Sequence, residues 1–130
     1  MESRINEAVE RKRSGKFNCA QAVACTYCDA AGLDVETMRN LTNAFGSGMG
    51  SMEGTCGALV GAGVVLGMVR GDRMASMRDM KAIVTRFRER NGSVTCHELK
   101  GIASGCPLRQ CNDCVADAAS PLEGMLHSDE

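Results

Sequence analysis

The sequence predicts an all-α fold: a compact single-domain helical bundle of about six helices around a central, apolar, glycine-rich helix. Three observations carry this expectation. No stretch of the chain shows a convincing period-two alternation of apolar and polar residues. Helix-start residues (Asn18, Asp34, Asp72, Thr95) alternate with stop signals at Gly15, Gly32, Gly71, Asn91-Gly92 and Gly101. Finally, Cys56 to Val69 carries no charged side chain, and it is shorter than the ~20 apolar residues a bilayer-spanning helix needs. A chain of 130 residues is long enough for one core, so residues 1–130 form a single domain with a frayed tail over 127–130.

The elements follow in order. Arg4 to Arg13 has a thin apolar stripe of Ile5, Ala8 and Val9, and Arg11, Lys12 and Arg13 complement the dipole at its end. Asn18 with Gln21 three residues on forms a capping box for a helix from Cys19 to about Ala31, closed by Gly32 at C′. Asp34 caps the next helix, where Val35, Met38, Leu41, Thr42 and Phe45 recur at helical intervals. Gly46-Ser47-Gly48-Met49-Gly50-Ser51 then forms a tight loop. Its G-x-G-x-G spacing lacks the preceding strand and the Gly-Lys-Ser/Thr ending of a phosphate-binding loop.

Thr55 is the cap candidate for the central helix, in which Gly57 and Gly61 permit close helix approach. Asp72 caps a long amphipathic helix with Met74, Met77, Met80 or Lys81, Val84 and Phe87 on one face. Thr95 and Glu98 form a capping box for a short helix, with Val94 and Leu99 as its hydrophobic staple. Residues Ile102 to Gln110 are loop, and a last helix spans about Asn112 to Leu126, with Pro121 expected to kink it or end it early.

Composition removes several function classes. A formal net charge of -1 gives no electrostatic case for nucleic acid or an anionic membrane. The aromatic residues are Phe17, Tyr27, Phe45 and Phe87, too few for base-stacking platforms, and methionines are expected to fill the core in their place. With His97 and His127 the only histidines, no nucleophile–histidine–acid arrangement is legible. Met1 to Glu7 has no apolar signal region, so the expectation is a cytoplasmic protein without membrane insertion.

The eight cysteines are the anomaly. In a cytoplasmic chain they point to metal binding or redox chemistry rather than structural bridges. Cys19, Cys56 and Cys96 each follow a cap residue, where unpaired amides and the helix dipole favour a thiolate, the metal-binding and redox-active form. Simple burial is the competing role for each one alone. Cys25-Thr26-Tyr27-Cys28 is a C-x-x-C in mid-helix and serves packing, and His97 is expected to be exposed.

Asn18-Cys19-Ala20-Gln21-Ala22, Cys56-Gly57-Ala58-Leu59-Val60-Gly61, Cys96 with Leu99, and Cys111 before Val115 resemble the C–GCAxxG–C–C family of redox-active proteins. The similarity runs from Phe17 to about Ala119, with Gly57, Ala58 and Gly61 as the motif backbone. It implies a small helical protein whose signature cysteines are Cys19, Cys56, Cys96 and Cys111, associated with transport or redox functions. A related module accompanies a haem protein with an iron–sulfur centre. The chain departs from the pattern in reading Cys56-Gly57-Ala58 where the family name has Gly-Cys-Ala, and in adding Cys25, Cys28, Cys106 and Cys114.

Cys106, Cys111 and Cys114 have the C-x4-C-x2-C spacing of plant-type [2Fe–2S] ferredoxins, so Cys106 and Cys114 are candidate further ligands. Three functions follow as expectations. The first is an electron-transfer protein holding an iron–sulfur cluster or other thiophilic metal. The second is a metal-free thiol/disulfide protein. The third is a structural four-cysteine zinc module, disfavoured because the signature cysteines are scattered singly rather than in local C-x-x-C pairs. A redox protein partner, association with a transport system, and a homo-oligomer complete the expectations.

Overall fold

The computed structural model describes residues 2–102 and 104–128. The described residues contain seven α-helices and no strand: α1 (Ile5–Arg13), α2 (Cys19–Thr26), α3 (Val35–Leu41), α4 (Gly57–Arg70), α5 (Arg73–Asn91), α6 (Cys96–Leu99) and α7 (Cys111–Ser128). A 3-10 turn at Asn43–Phe45 and a wide turn at Gly48–Met52 link α3 to α4. The all-α fold class expected from the sequence is the one observed. None of the described helices is long and apolar enough to cross a membrane.

The axis of the bundle is the α2–α4 pair. Every residue of α2 is buried, and α4 supplies Ala58, Leu59, Ala62, Val65 and Leu66 to the same core. The two backbones touch because Gly61 has no side chain: a Cβ there would lie 2.4 Å from the Ala20 carbonyl oxygen. One at Gly57 would lie 2.7 Å from the Phe45 carbonyl oxygen and 3.3 Å from the Ala20 nitrogen. The cost of glycine inside a helix, ~1 kcal/mol against alanine, is offset by this backbone-to-backbone packing. Around the pair, α7 packs on α1, α2, α4 and α5, contributing Val115, Ala118, Ala119, Leu122 and Leu126.

Several caps form as the sequence predicts. Asn18 and Gln21 exchange two 2.8 Å hydrogen bonds, a complete capping box. Asp34 accepts from the Thr37 amide at 2.7 Å and Asp72 from the Ala75 amide at 2.8 Å. Gly71 and Gly92 stop their helices at positive φ.

Other expectations are corrected. α2 ends at Thr26, not near Ala31: the chain beyond it makes three-residue turns, the Cys28 amide on the Cys25 carbonyl at 3.5 Å and the Ala30 amide on the Tyr27 carbonyl at 3.1 Å. The Thr26 hydroxyl donates to the Ala22 carbonyl at 2.8 Å, and Arg4 Nη1 donates to the Thr26 carbonyl at 2.8 Å. Likewise α3 stops before Thr42, whose hydroxyl donates to the Met38 carbonyl at 2.7 Å. On α5 the core face is Ile83 and Phe87, while Met74 and Met77 are 68% and 63% exposed. Met38 is buried as expected of a core filler, whereas Met49 and Met68 also lie outside the core. α7 continues through Pro121, His127 and Ser128, so the tail expected to fray at 127 is helical to Ser128; Asp129 and Glu130 lie outside the described residues.

The Thr95–Glu98 capping box is absent as well, since the Thr95 side chain makes no capping bond. Thr95 is instead extended and forms an isolated antiparallel bridge with Thr55. The Cys56 amide donates to the Val94 carbonyl at 2.7 Å, and the Cys96 amide donates to the Gly54 carbonyl at 3.0 Å. This two-rung clasp holds the starts of α4 and α6 side by side.

Candidate redox site

Four helices begin at one place, and each begins with a cysteine. Cys19 is the first residue of α2, fixed by the Asn18 cap. The Asn18 amide group reaches on to the carbonyls of Thr42 and Asn43 at 3.3 and 3.2 Å, which pins the start of α2 to the end of α3. Cys56 is itself the N-cap of α4, one residue later than the Thr55 cap expected. Cys96 opens α6, against Gly48: a Cβ at Gly48 would come within 2.6 Å of the Cys96 Cβ. Cys111 opens α7, one residue earlier than expected.

Cys114 lies three residues along α7 from Cys111, on the same face of the helix. Together Cys19, Cys56, Cys96, Cys111 and Cys114 line a small cavity of about 20 Å³, room for about one water. Lys100 and Arg109 complete its polar wall. The structure thus gathers the four signature cysteines and adds a fifth.

The remaining candidates fall elsewhere. Cys106 is exposed on the loop before α7 and does not line the cavity, so the C-x4-C-x2-C run is not brought together as a unit. Cys25 is buried near the end of α2 and donates to the Val35 carbonyl at 3.8 Å; Cys28 is buried in the turn beyond it. Both keep the packing role expected of them. His97 is partly buried rather than exposed, and lies outside the thiol cavity. No three His, Cys, Asp or Glu side chains among the described residues stand in a metal-holding arrangement.

Electrostatics divides the five thiols. Cys19 with Cys111, and Cys56 with Cys114, are each the first influence on the other's titration, through hydrogen bonding of thiol to thiolate. In each pair one sulfur carries the charge. Cys111 is pulled down to about 5, first by the Cys19 thiol it accepts from, then by Lys100 and Lys12, against the cost of burial. Cys19 is pushed up, by the same bond first and by burial next.

In the second pair Cys56 is lowered, chiefly by the Cys114 thiol and then by the amides of Ala58 and Leu59 at the start of α4. Cys114 is raised correspondingly. Cys96 has no thiol partner, and burial pushes it up. The expectation that helix starts lower all three of Cys19, Cys56 and Cys96 therefore holds for Cys56 alone. For Cys96 the helix is a single turn, too short to offset desolvation. Lys100 is raised: burial acts against its charge, but Cys111, Cys96 and Cys19 together outweigh it.

Sequence reasoning did not find Lys100 or the Cys56–Cys114 contact. Both had a signal: Lys100 stands four residues after Cys96, and Cys114 three after Cys111, the two spacings that share a helix face.

The chain was compared with known proteins. The family model described as "Putative redox-active protein (C_GCAxxG_C_C)" matches residues 17–125. No curated protein and no solved structure matches. The match takes in all five cavity cysteines and most of the helices that position them, and the chain belongs to this redox-active family.

Proposed function

We propose that this protein is a thiol/disulfide redox protein that works through Cys111 and Cys19. The observation that supports it is that both sulfurs line one water-sized cavity, where the Cys19 thiol holds Cys111 down and is itself pushed up. Cys111 is half-buried whereas Cys19 is buried, so Cys111 is the sulfur an incoming disulfide meets first. Its thiolate attacks one sulfur of the partner's disulfide, the S–S bond breaks, and a mixed disulfide forms as the first partner thiolate leaves. Cys19 then gives up its proton to solvent and attacks the Cys111 sulfur. A Cys19–Cys111 disulfide forms, the second partner thiolate leaves, and the partner's disulfide has become a dithiol. The protein has supplied both electrons. The partner expected is a redox protein presenting a disulfide.

The test is graded exposure of the reduced chain to limiting oxidised glutathione, followed by acid quenching, alkylation and peptide mapping. The first intramolecular disulfide to accumulate should link Cys19 and Cys111, and Cys111→Ser should abolish it. If every cavity thiol stays alkylatable in excess oxidant, the reading falls.

A second reading rests on donor chemistry: five cysteines lining one cavity offer the thiolates that soft, thiophilic metals prefer, and they would have to draw together, since no three of them stand in a metal-holding arrangement. Cys19, Cys56, Cys96 and Cys111, with Cys114, would hold an iron–sulfur cluster or zinc. A cluster would supply one-electron transfer, and zinc would supply folding energy. Iron and sulfide analysis with an absorption spectrum of anaerobically purified protein separates the two readings. Stoichiometric iron with visible charge-transfer bands would favour the cluster, and an iron-free protein that cycles a disulfide would favour the dithiol.

A further inference from the structure

Cys114 is not one of the cysteines that carry the resemblance to the family signature, yet it is among the most deeply placed sulfurs of the cavity. It is 2% exposed and its partner Cys56 is 5% exposed. Its position has two structural causes. The three-residue spacing from Cys111 turns it to the same face of α7, and α7 packs directly on α4, whose first turn holds Cys56. The clasp between Thr55 and Thr95 fixes that first turn from the other side. All four of these cysteines line the one water-sized cavity, and Gly57, next to Cys56, lies so near α2 that a Cβ on it would stand 3.3 Å from Cys19 Cβ.

We propose that Cys56 and Cys114 form a second, interior dithiol that takes oxidising equivalents from the Cys19–Cys111 disulfide, so that one chain stores two disulfides. This rests on the thiol/disulfide reading of the outer pair. Burial sets the order of events, since a macromolecular partner reaches Cys111 and does not reach Cys56 or Cys114.

The exchange balances without a further reactant. The Cys56 thiolate attacks Cys19 Sγ of the outer disulfide; the Cys19–Cys111 bond breaks and Cys111 leaves as a thiolate at the cavity that Lys100 also lines. A Cys56–Cys19 bond now bridges α4 and α2. Cys114 passes its proton to the departing Cys19 sulfur as it attacks Cys56, giving a Cys56–Cys114 disulfide and a reduced outer pair. Two electrons have moved from the inner sulfurs to the outer ones, and Cys111 is free to react with a second molecule of oxidant. Cys96 lines the same cavity from the short α6, and the exchange as proposed does not use it.

The experiment uses the full chain, oxidised glutathione in graded excess, acid quenching, alkylation under denaturing conditions and mass spectrometry with peptide mapping. Wild type should lose four thiols in two steps, with Cys19–Cys111 first and Cys56–Cys114 present at the end. Cys114→Ser and Cys114→Ala should each lose two thiols only, keeping the Cys19–Cys111 disulfide. Cys106→Ser should behave as wild type. Cys111→Ser should form neither disulfide.

A wild type that stops after the first disulfide, with Cys56 and Cys114 both alkylated, overturns the interior pair and leaves the outer one standing. A Cys56–Cys114 disulfide forming in Cys111→Ser overturns the exchange. Absence of the Cys19–Cys111 disulfide in every variant, Cys106→Ser included, brings down the underlying reading instead.

Discussion

Replacing Gly61 by alanine tests the contact on which the whole arrangement rests. The new methyl would sit 2.4 Å from the Ala20 carbonyl oxygen and 3.1 Å from its carbonyl and α carbons, all backbone atoms that no rotamer change can move. Overpacking of this kind costs ~1–3 kcal/mol, and a rigid neighbour puts it at the upper end. Alanine's better helix propensity returns ~1 kcal/mol, leaving a net loss of about 2 kcal/mol. An unfolding entropy of ~2.1 cal/mol/K per residue makes this a fall in Tm of about 7 °C for a chain of this length.

Gly67 is the matched control on the same helix. Nothing lies within 4 Å of a Cβ there, so Gly67→Ala should gain the propensity term alone, up to ~1 kcal/mol or about 4 °C. Thermal unfolding followed by far-UV circular dichroism, in reducing buffer so that no disulfide contributes, reads both. The displacement should also reach the chemistry. Ala20 follows Cys19, so an α2 pushed off α4 carries Cys19 away from Cys111, and Gly61→Ala should slow formation of the first disulfide. A Gly61→Ala protein as stable as wild type, or a Gly67→Ala protein that loses as much, would refute the close approach of the two helices.

Two further outcomes follow from individual contacts. Lys100 lines the cavity with Cys111 and is the first of the cations that hold its thiolate down at about 5, so Lys100→Met removes that charge. The thiolate fraction rises as pH climbs through that value; losing the cation moves the midpoint up by ~1 unit, which means about fivefold less thiolate at pH 5 and no difference at pH 9. Iodoacetamide labelling of Cys111 across that range checks it, and an unmoved midpoint counts against the ammonium's role. Separately, Tyr27→Phe deletes the 3.0 Å bond from the phenol to Glu123 Oε1, which keeps its 2.5 Å bond from the Arg4 amide. A loss of ~1 kcal/mol should appear as a lower urea midpoint at constant m, and a protein of unchanged midpoint would show that the bond contributes nothing.

The fold was legible where a local signal and the tertiary structure agree. The Asn18–Gln21 box, the Asp34 and Asp72 caps and the glycine stops are short-range chemistry, and they form as written. Thr95 shows how far local reading reaches: it is the N-cap of α6 as expected, but its side chain makes no capping bond. Its sequence is the plainest helix start in the chain, yet its backbone is engaged by Thr55, forty residues away in sequence. The methionines of α5 failed for a related reason. A stripe of Met74, Met77 and Met80 has helical spacing, but periodicity does not say how far along a helix its neighbours extend, and the first turns of α5 run past the core. At the site, Cys19, Cys56 and Cys96 were legible from their place after cap candidates and Cys111 from the family resemblance, whereas Cys106 lies apart from them. Spacing within C-x4-C-x2-C places sulfurs together only if the intervening loop folds back, and here the loop presents Cys106 to solvent.

The contrast between Cys56 and Cys96 shows what the helix starts contribute and what they do not. The clasp places the two thiols as near-equivalents, each one residue beyond a bridging threonine and each buried to the same 5% exposure. Yet one is lowered and the other raised. The difference cannot come from burial, which is shared. It comes from what each sulfur faces: Cys56 has the Cys114 thiol and the first amides of a fourteen-residue helix, while Cys96 has a single turn and no donor. A thiol partner, with the helix terminus assisting, is what makes a thiolate here, and the same rule explains Cys111, where the Cys19 thiol and Lys100 act together. On the thiol/disulfide reading proposed above, the chemistry of this chain then resides less in the four helix starts than in the Cys19–Cys111 and Cys56–Cys114 pairs. Of the signature cysteines, Cys96 is the one whose substitution should leave the disulfide chemistry intact.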